Sequence, residues 1–266
     1  MDATGVAVVT GASRGIGRAV ALELASRGFD TVATMRDVSA GASLPANVRV
    51  ERLDVTDPST IALPEGLRVL VNNAGVERPH LPFEATPMDD WRAMFETNVF
   101  GVIEVTRRAI EQMRRRGRGG VICNITSSSL FAPVPFYATY RASKAAVSAM
   151  GESLRTELAP LGIRVVEIMP GPIETDMLAT SEEPPAALDH EPYRPMAERS
   201  HALRANVKDS YTPASDAAVA IVDAIVADDG PLRSGCDPLG VGLLEAWRAT
   251  PDEQLMRAMS QGWLGS

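Results

Sequence analysis

The sequence predicts an α/β fold, a single-domain doubly wound (Rossmann-like) parallel sheet with helices on both faces. Short apolar runs rich in β-branched residues alternate with helical patterns, which is typical of a parallel sheet covered on both faces. With 266 residues, of which 45% are hydrophobic, the chain is long enough to bury one sizeable core. We therefore expect residues 1–266 to form one domain that binds its ligands beyond the carboxyl ends of the strands.

The predicted elements follow in order along the chain. Strands are predicted at residues 6–9, 31–34, 48–50, 69–71, 121–125 and 164–168, and helices at 15–27, 89–116, 140–160 and 215–227. The connections at 37–47 and 61–66 are too short or too broken by Gly and Pro for full helices, so one sheet face should be thinly covered there. Residues 178–213 contain five prolines and little strand pattern, which predicts a substrate loop or lid.

Composition excludes several classes of function. The formal net charge of -8 and the pI of about 5.0 argue against a surface for nucleic acid or for an anionic membrane. No apolar run approaches the roughly 18 residues of a membrane span, and the first residues lack the pattern of a secretory leader. Cys123 and Cys236 lie far apart and predict neither a disulfide framework nor a metal site, so we expect a reduced, cytoplasmic protein.

A glycine-rich turn joins the first predicted strand to the first predicted helix, and it reads Thr10-Gly11-Ala12-Ser13-Arg14-Gly15-Ile16-Gly17. Glycines let the backbone turn tightly and approach a pyrophosphate, while the helix N-terminus directs unpaired N–H groups toward it. The spacing differs from the usual dinucleotide fingerprint, and a tight turn without a ligand is the alternative. Its place between strand and helix favours a nucleotide-binding loop.

Tyr140 and Lys144 are four residues apart in a helical pattern, so both side chains should lie on one face, one turn apart. Reduction of a ketone needs a proton for the developing alkoxide, and a phenol with a pKa of about 10 donates it well but accepts it back poorly at neutral pH. An ammonium about 4 Å away contributes roughly 4 kcal/mol at an effective dielectric constant of about 20, enough to lower that pKa by about 3 units. Lys144 is therefore predicted to lower the pKa of Tyr140.

Taken together, these motifs resemble the short-chain dehydrogenase/reductase family, in its compact single-domain branch. The resemblance covers about residues 5–178 and includes, in the family's order, Thr10-Gly11-x-x-x-Gly15-x-Gly17, Asn72-Asn73-Ala74-Gly75, Asn98, Ser127, Tyr140-x-x-x-Lys144 and Pro170-Gly171-x-x-x-Thr175. The family itself varies beyond that region. The resemblance implies an oxidoreductase that moves a hydride between a nicotinamide cofactor and a carbonyl/alcohol pair.

The resemblance also implies a cofactor site. Asp54 and Val55 are expected at the adenine, Asn73 to Gly75 along the far side of the nucleotide, and Ile173 and Thr175 at the nicotinamide carboxamide. The complete predicted set is Gly11, Ser13, Arg14, Gly15, Ile16, Gly17, Arg36, Asp54, Val55, Asn73, Ala74, Gly75, Tyr140, Lys144, Pro170, Gly171, Ile173 and Thr175.

The choice of cofactor depends on the end of the second strand. Met35 stands where NAD-preferring relatives carry Asp, and Arg36 stands where NADP-preferring relatives carry Arg. An acidic residue there binds the ribose 2′-hydroxyl, whereas an Arg attracts a 2′-phosphate, and Arg14 is the second cation expected at that phosphate. NADP(H) is therefore favoured over NAD(H). The alternative makes Arg36 an ordinary exposed cation and Asp37 the ribose ligand.

By the same resemblance, the catalytic set is Asn98, Ser127, Tyr140 and Lys144. Ser127 would orient the carbonyl, with Ser128 and Ser129 as nearby alternatives, and Lys144 would also hold the nicotinamide ribose. Asn98 would bend a helix and hold a water that leads toward Lys144, although a polar residue within a helix usually faces solvent. No metal ligand is predicted.

The predicted substrate wall consists of Leu130, Phe131, Val134, Phe136, Tyr137, Met177 and Leu178. It favours a medium-sized, mostly apolar ketone or alcohol, hydroxysteroid-like or polyketide-like. The three histidines fit no motif and are expected at the surface or in loops. The alternatives are a catalytically idle NADP-binding sensor or scaffold, which would have lost Tyr, Lys or Ser, and a lyase or epimerase, whose glycine loop would be spaced differently.

A homodimer or homotetramer is expected from the helices predicted at 89–116 and 140–160, which family members pair with copies from a neighbour. The second helix carries more apolar residues than one face against its own sheet needs, and closed two-fold symmetry is the commonest way to cover them. The alternative is that its small alanines merely fit the helix closely to the sheet.

Overall fold

The computed structural model describes residues 3–176, 183–206 and 208–264. Its centre is a seven-stranded sheet in the order β3-β2-β1-β4-β5-β6-β9, and every neighbouring pair is parallel. The strands are β1 (Val6–Val9), β2 (Asp30–Met35), β3 (Val48–Arg52), β4 (Leu67–Asn72), β5 (Gly120–Ile125), β6 (Ile163–Ile168) and β9 (Arg233–Ser234). The short strands β7 (Ile173–Glu174) and β8 (Thr212–Pro213) pair with each other outside this sheet. The predicted fold class is confirmed.

Helices cover both faces of the sheet. They are α1 (Gly15–Ser26), α2 (Met88–Phe95), α3 (Val102–Arg116), α4 (Ala138–Leu158), α5 (Arg194–Ala205), α6 (Ala214–Val226), α7 (Pro238–Ala249) and α8 (Asp252–Leu264). Helices α1 and α6 share one apolar core with the sheet, and α3 and α4 share the other. The described helices include none with the length and apolar character to cross a membrane.

Strand β1 shows how the sequence divides between the two cores. Ala7 and Val9 lie in the core under α1 and α6, whereas Val6 and Val8 lie in the core under α3 and α4. Successive side chains of a strand point to opposite faces, so a central strand must be apolar throughout. The strand order reverses between β1 and β4, and the carboxyl ends of these two strands form a crevice at that point.

The predicted helix at 89–116 is interrupted by a π-helical turn at Glu96–Gly101. Gly101 packs so tightly that an added Cβ would lie 2.7 Å from a methyl group of Val55. Such π turns are frequent at functional sites, and this one buries Asn98. The thinly covered connections contain only the short 3-10 turns Val38–Gly41 and Pro58–Thr60.

The region after residue 176 contains elements that the sequence analysis missed. Helix α5 lies within the predicted lid, and β9, α7 and α8 follow it. Strand β9 has two residues, too few for a periodic pattern. Helix α7 had a readable signal, because Asp237 caps its N-terminus and Pro238 begins it. Met177 and Leu178, at the start of the lid and in the predicted wall, lie outside the described residues.

Candidate active site

A cavity of about 630 Å³ opens at the crevice between β1 and β4. Most of the residues predicted for the cofactor and for catalysis line it, namely Gly11, Ser13, Arg14, Gly15, Ile16, Arg36, Asp54, Val55, Asn73, Ala74, Gly75, Ser127, Tyr140, Lys144, Pro170, Gly171, Ile173 and Thr175. Gly17 and Asn98 lie behind the lining. The structure therefore brings the predicted residues to one place.

The glycines of the first loop are required by close contacts. Gly11 and Gly15 have φ of 64° and 55°, a left-handed conformation that glycine adopts without strain. A Cβ on Gly11 would lie 2.8 Å from Cα of Ala74, and one on Gly17 would lie 2.3 Å from Nδ2 of Asn73. The loop is therefore a shallow backbone cradle at the N-terminus of α1.

Hydrogen bonds fasten this loop to the segment after β4. The Thr10 hydroxyl accepts from the backbone N–H groups of Asn73 and Ala74, both at 3.0 Å. The Asn73 side chain donates from Nδ2 to the carbonyl oxygens of Thr10 and Gly11 at 2.9 and 3.1 Å. Two loops that are far apart in sequence thus form one rigid wall.

The charged residues near the end of β2 differ in their surroundings. Arg36 is exposed and lines the cavity, and within the described residues its side chain makes no hydrogen bond or ion pair. Asp37 instead accepts from N and Oγ of Ser39 at 2.9 and 2.7 Å, which lowers the pKa of its carboxyl. Asp37 caps a 3-10 turn and is absent from the cavity lining. This arrangement favours Arg36 over Asp37 as the residue that meets the cofactor.

Arg14, the second predicted cation, lies 3.4 Å from the carboxylate of Asp176. Both side chains are more than half exposed, so the pair is screened by solvent and weak. Asp54 is partly buried and accepts from N and Oγ1 of Thr56 at 3.0 and 2.8 Å. These bonds fix the orientation of a carboxylate that lines the cavity.

Ser127 is the one of the three adjacent serines that lines the cavity. Its hydroxyl accepts from the backbone N–H of Ser129 at 3.2 Å, and it lies near enough to the Tyr140 phenol to lower the pKa of that phenol. Ser128 is buried, and the Ser129 hydroxyl lacks a partner among the described residues. The geometry thus pairs Ser127 with Tyr140.

Burial dominates the ionisation of the Tyr140 and Lys144 pair. Burial raises the pKa of Tyr140, the negative charge of Glu77 raises it further, and the hydrogen bond from Ser127 lowers it. Burial also lowers the pKa of Lys144 to about 8. The Lys144 ammonium donates to the carbonyl oxygen of Ile125 at 2.9 Å and lies 5.6 Å from the centre of the Tyr140 ring. The sequence analysis predicted a lowered pKa for Tyr140, because it counted the nearby charge and not the loss of solvent.

Asn98 is 2% exposed and has all of its polar atoms bonded. Its Oδ1 accepts from the N–H of Val76 at 2.8 Å, while Nδ2 donates to the Val76 carbonyl and to Ser143 Oγ at 3.0 and 3.1 Å. Asn98 therefore joins the π-helical turn, the segment after β4 and helix α4. It does not face solvent.

The turn after β6 is held by a residue that the sequence analysis missed. Asp237 is 5% exposed and accepts from the N–H groups of Gly171 and Gly240 at 2.7 and 3.0 Å. Strand β7 follows this turn, and Thr175 lies so close to the glycine loop that a Cβ on Gly15 would be 3.1 Å from its methyl group. The Asp-Pro pair at residues 237–238 was the sequence signal for this cap.

A second missed group lies beside Tyr140. Glu77 lines the cavity and bonds His80 at 2.6 Å, and the His80 ring lies 4.2 Å from that of Tyr137. The guanidinium of Arg204, on α5, lies 4.7 Å from the centre of the Tyr137 ring. His80 lies in the loop after β4, within the expectation of a surface or loop position, but its side chain is only 11% exposed. It packs between the segment after β4 and the start of α4.

The predicted substrate wall is only partly at the cavity. Tyr137 lines it, but Leu130 and Phe131 pack with Met169 and Leu244 in a separate apolar cluster, where Phe131 stacks on Trp247 at 4.9 Å. Helix α7 contributes Leu244 to that cluster and the Trp247 ring on which Phe131 stacks. Because α7 was not predicted, the sequence left these apolar residues without another place to pack.

The lining fits a dinucleotide. The bare backbone of Gly11 and Gly15 suits a pyrophosphate at a helix N-terminus, and the exposed Arg36 suits a 2′-phosphate.

Comparisons with known proteins agree with this geometry. A family model described as short chain dehydrogenase matches residues 5–186. An uncharacterised short-chain type dehydrogenase/reductase of Sinorhizobium fredii is 40% identical over 181 residues, which cover 66% of this chain and 73% of that protein. The crystal structure of a short chain dehydrogenase from Burkholderia cenocepacia in complex with NADP is 27% identical, with a TM-score of 0.78 over 100% of both chains. A short chain dehydrogenase/reductase from Burkholderia phymatum in complex with NAD is 26% identical, with a TM-score of 0.77 over 96% of each chain.

Proposed function

The chain belongs to the short-chain dehydrogenase family, and we propose from this that it interconverts a ketone and a secondary alcohol with NADP(H). An oxidoreductase acting on CH–OH groups is what the family establishes. The observation that carries the finer proposal is that Ser127, Tyr140 and Lys144 line one cavity, with Ser127 near enough to the Tyr140 phenol to lower its pKa. The catalytically idle alternative requires the loss of Ser, Tyr or Lys, and all three are present in one place.

Each catalytic side chain has a proposed task. The nicotinamide supplies the hydride. Tyr140 delivers its phenolic proton to the developing alkoxide, and Ser127 donates a hydrogen bond that orients the carbonyl. Lys144 supplies a positive charge one helical turn away, which favours the phenolate that remains. Asn98 holds the backbone of Val76 and the hydroxyl of Ser143, behind that charge.

The preference for NADP(H) is supported by the surroundings of the two charged residues that follow β2. Arg36 is exposed at the cavity, and Asp37 is occupied by Ser39. Arg14 can exchange its weak pairing with Asp176 for a phosphate, since charge-assisted bonds from guanidinium to phosphate are strong. Solved relatives carry NADP in one case and NAD in another, so the preference depends on these residues and not on the family.

The proposed substrate is a medium-sized, mostly apolar ketone or alcohol, hydroxysteroid-like or polyketide-like. Tyr137 and Val76 supply apolar surface near Tyr140. Glu77 adds an acceptor at the same end of the cavity, which favours a substrate with a hydroxyl group on that side. The packing of Leu130 and Phe131 elsewhere leaves the polarity of the site higher than the sequence suggested.

A substrate panel tests the proposal. Matched ketones, with and without a hydroxyl group next to the carbonyl, would be assayed with NADPH and with NADH by the loss of cofactor absorbance. Turnover of at least one ketone with NADPH, absent in Tyr140→Phe, is expected. Tight NADPH binding with no turnover across aliphatic, cyclic and steroid ketones would favour the idle module instead.

We also propose that the chain assembles as a homodimer or homotetramer through α3 and α4. Ala145 and Ala149 are exposed along α4, and Phe100 is 55% exposed where the π-helical turn meets α3. Aromatic and small apolar residues on an exposed helix face are suited to close helix pairing.

We propose further that the chain forms a single domain and functions in a reducing, cytoplasmic compartment. The short strand β9 joins the same sheet as β1, and α6 packs beside α1 in one core. Cys123 and Cys236 are both buried free thiols, and burial raises the pKa of each thiol.

A further inference from the structure

A buried carboxylate lies beneath the catalytic helix. Glu167 of β6 is 1% exposed, although charged side chains are almost never fully buried unless they are paired. Its Oε1 accepts from the Thr126 hydroxyl at 2.8 Å, and its Oε2 accepts from Ser148 Oγ and from Arg233 Nε at 3.0 and 3.1 Å. Nothing in the proposed reaction uses this group directly.

Two of these bonds lead toward Lys144. Ser148 is on α4 one turn after Lys144, so the bond to Glu167 fixes the same helix face. Thr126 follows Ile125, and the carbonyl oxygen of Ile125 accepts the Lys144 ammonium at 2.9 Å. The backbone N–H of Thr126 donates to the carbonyl oxygen of Ile168 at 2.8 Å. The peptide group between Ile125 and Thr126, whose carbonyl meets Lys144, is therefore held by this bond and by the bond from the Thr126 hydroxyl to Glu167.

The third bond leads to the C-terminal segment. Arg233 of β9 also donates to Ser148 Oγ at 3.0 Å, pairs with Glu152 and lies 5.5 Å from the centre of the Trp247 ring. Its side chain is 17% exposed, whereas that of Glu152 is 53% exposed. Arg233 thus has one buried carboxylate on its inner side and one solvated carboxylate on its outer side.

We propose that Glu167 is a positioning residue that holds the peptide group bonded to Lys144 and keeps the Lys144 amine positively charged. The inference rests on the proposed role of Lys144. A buried ammonium without a nearby anion loses its proton readily, because desolvation penalises the charged form. Glu167 supplies that anion from strand β6, beneath helix α4, while Arg233 limits its effect from the other side.

The charges around Lys144 can be named element by element. Tyr140 lies on its own helix, Glu77 follows β4, and Glu167 lies on β6 with Arg233 of β9 behind it. Burial lowers the pKa of Lys144 to about 8, and the negative charges of Glu77 and Glu167 raise it against that effect. Removing the charge of Glu167 must therefore lower this pKa, and removing the charge of Arg233 must raise it.

The sequence permits a direct measurement, because Lys144 and Lys208 are its two lysines. Protein labelled with ¹³Cε-lysine gives two signals to follow by NMR as the pH is raised, and Lys208→Arg identifies which belongs to Lys144. In Glu167→Gln, which keeps an acceptor of similar shape, we expect the pKa of Lys144 to fall by about 1 unit, the lower end of the range for a nearby opposite charge. In Arg233→Gln it should rise.

Glu152→Gln is the matched control, since it removes the other carboxylate that pairs with Arg233. It should change the pKa of Lys144 by less than about 0.3 unit. An equal shift in Glu152→Gln, or an unshifted titration in folded Glu167→Gln, would overturn the inference. If Glu167→Gln does not fold, the direction of the shift in Arg233→Gln decides. The titration needs neither substrate nor cofactor, so its outcome is separate from the ketone panel.

Discussion

Asn98 donates from Nδ2 to the hydroxyl oxygen of Ser143 across 3.1 Å, and it thereby ties the π-helical turn before α3 to the helix that carries Tyr140 and Lys144. Ser143 is the residue directly before Lys144 and is fully buried. A displacement of the turn would therefore be transmitted to the lysine through one buried hydrogen bond.

Asn98→Ala should lower the free energy of unfolding by about 1 to 3 kcal/mol, because it leaves the partly buried N–H of Val76 without its acceptor and removes the buried bond to Ser143. It should also reduce turnover. Urea unfolding with an activity assay checks both. Ser143→Ala is the comparison, because it removes the hydrogen bond between Asn98 and Ser143 but keeps the bonds between Asn98 and Val76. It should lower the free energy of unfolding by about 0.5 to 1.5 kcal/mol. A smaller loss in Asn98→Ala than in Ser143→Ala would contradict the assignment.

Tyr140→Phe should abolish turnover and leave NADPH binding nearly intact, because it removes the proton carrier while the ring still packs. Cofactor fluorescence and steady-state rates would be measured side by side. Tyr137→Phe is the matched control, since this second tyrosine touches Tyr140 at 5.7 Å between ring centres. Tyr137→Phe should keep turnover within about tenfold, and equal losses in both variants would show that the phenol of Tyr140 has no special task.

Arg36→Ala should weaken NADPH binding by roughly 1.5 to 3 kcal/mol, as expected for a hydrogen bond to a charged group, and leave NADH almost unchanged. Dissociation constants from fluorescence titration give both values. Asp37→Asn, which alters only the cap on Ser39, should leave the affinity for each cofactor within about threefold. Loss of NADH affinity in Asp37→Asn would instead make Asp37 the ribose ligand.

The pH dependence of ketone reduction should follow the ionisation of the Lys144 amine. Its amine is positively charged below a pKa of about 8 and neutral above it. Activity that needs the ammonium should therefore be constant below pH 8 and then fall by about tenfold per pH unit, as for a single deprotonation. Profiles of kcat/KM with NADPH would show the change.

Lys144→Ala provides the comparison, since one ammonium is proposed to serve both the phenol and the ribose. Activity and NADPH affinity should fall together, and the step near pH 8 should disappear. A step of unchanged size and position in the variant would assign it to another group.

Light scattering at micromolar concentration should give a mass of two or four times 28.4 kDa. Ala149→Glu should shift the protein toward smaller species, because it places a charge on the exposed face of α4. Ala62→Glu, on an exposed connection before β4, is the matched change and should have no effect. A monomer mass for the unaltered protein would exclude the proposed pairing of helices.

The sequence predicted the positions of the six longer strands of the parallel sheet and the clustering of the cavity residues, because both follow from local patterns. Strand periodicity marks the carboxyl ends, and a parallel sheet then brings Gly11, Asn73, Ser127 and Pro170 to one edge. Asp237 and Arg233 could not be assigned in this way. Their partners, Gly171 and Glu167, are each 66 residues away, and β9 is too short to show a period.

The direction of the pKa shift of Tyr140 could not be predicted from local patterns either. The charge on Lys144 could be read from the sequence, but the desolvation that reverses the expected pKa shift of Tyr140 depends on how fully the folded chain covers the phenol.

The bonds from Asp237 to Gly171 and from Arg233 to Glu167 cross the boundary at residue 186, where the match to the family model ends. The C-terminal segment is therefore not a transplantable module. A chimera that joined a relative's segment to the first 186 residues would leave the N–H of Gly171 without its acceptor and the carboxylate of Glu167 without its cation, unless the donor supplied an acid and an arginine at the same positions. Recombination with relatives is therefore restricted by these two contacts, one at Gly171 and one at Glu167.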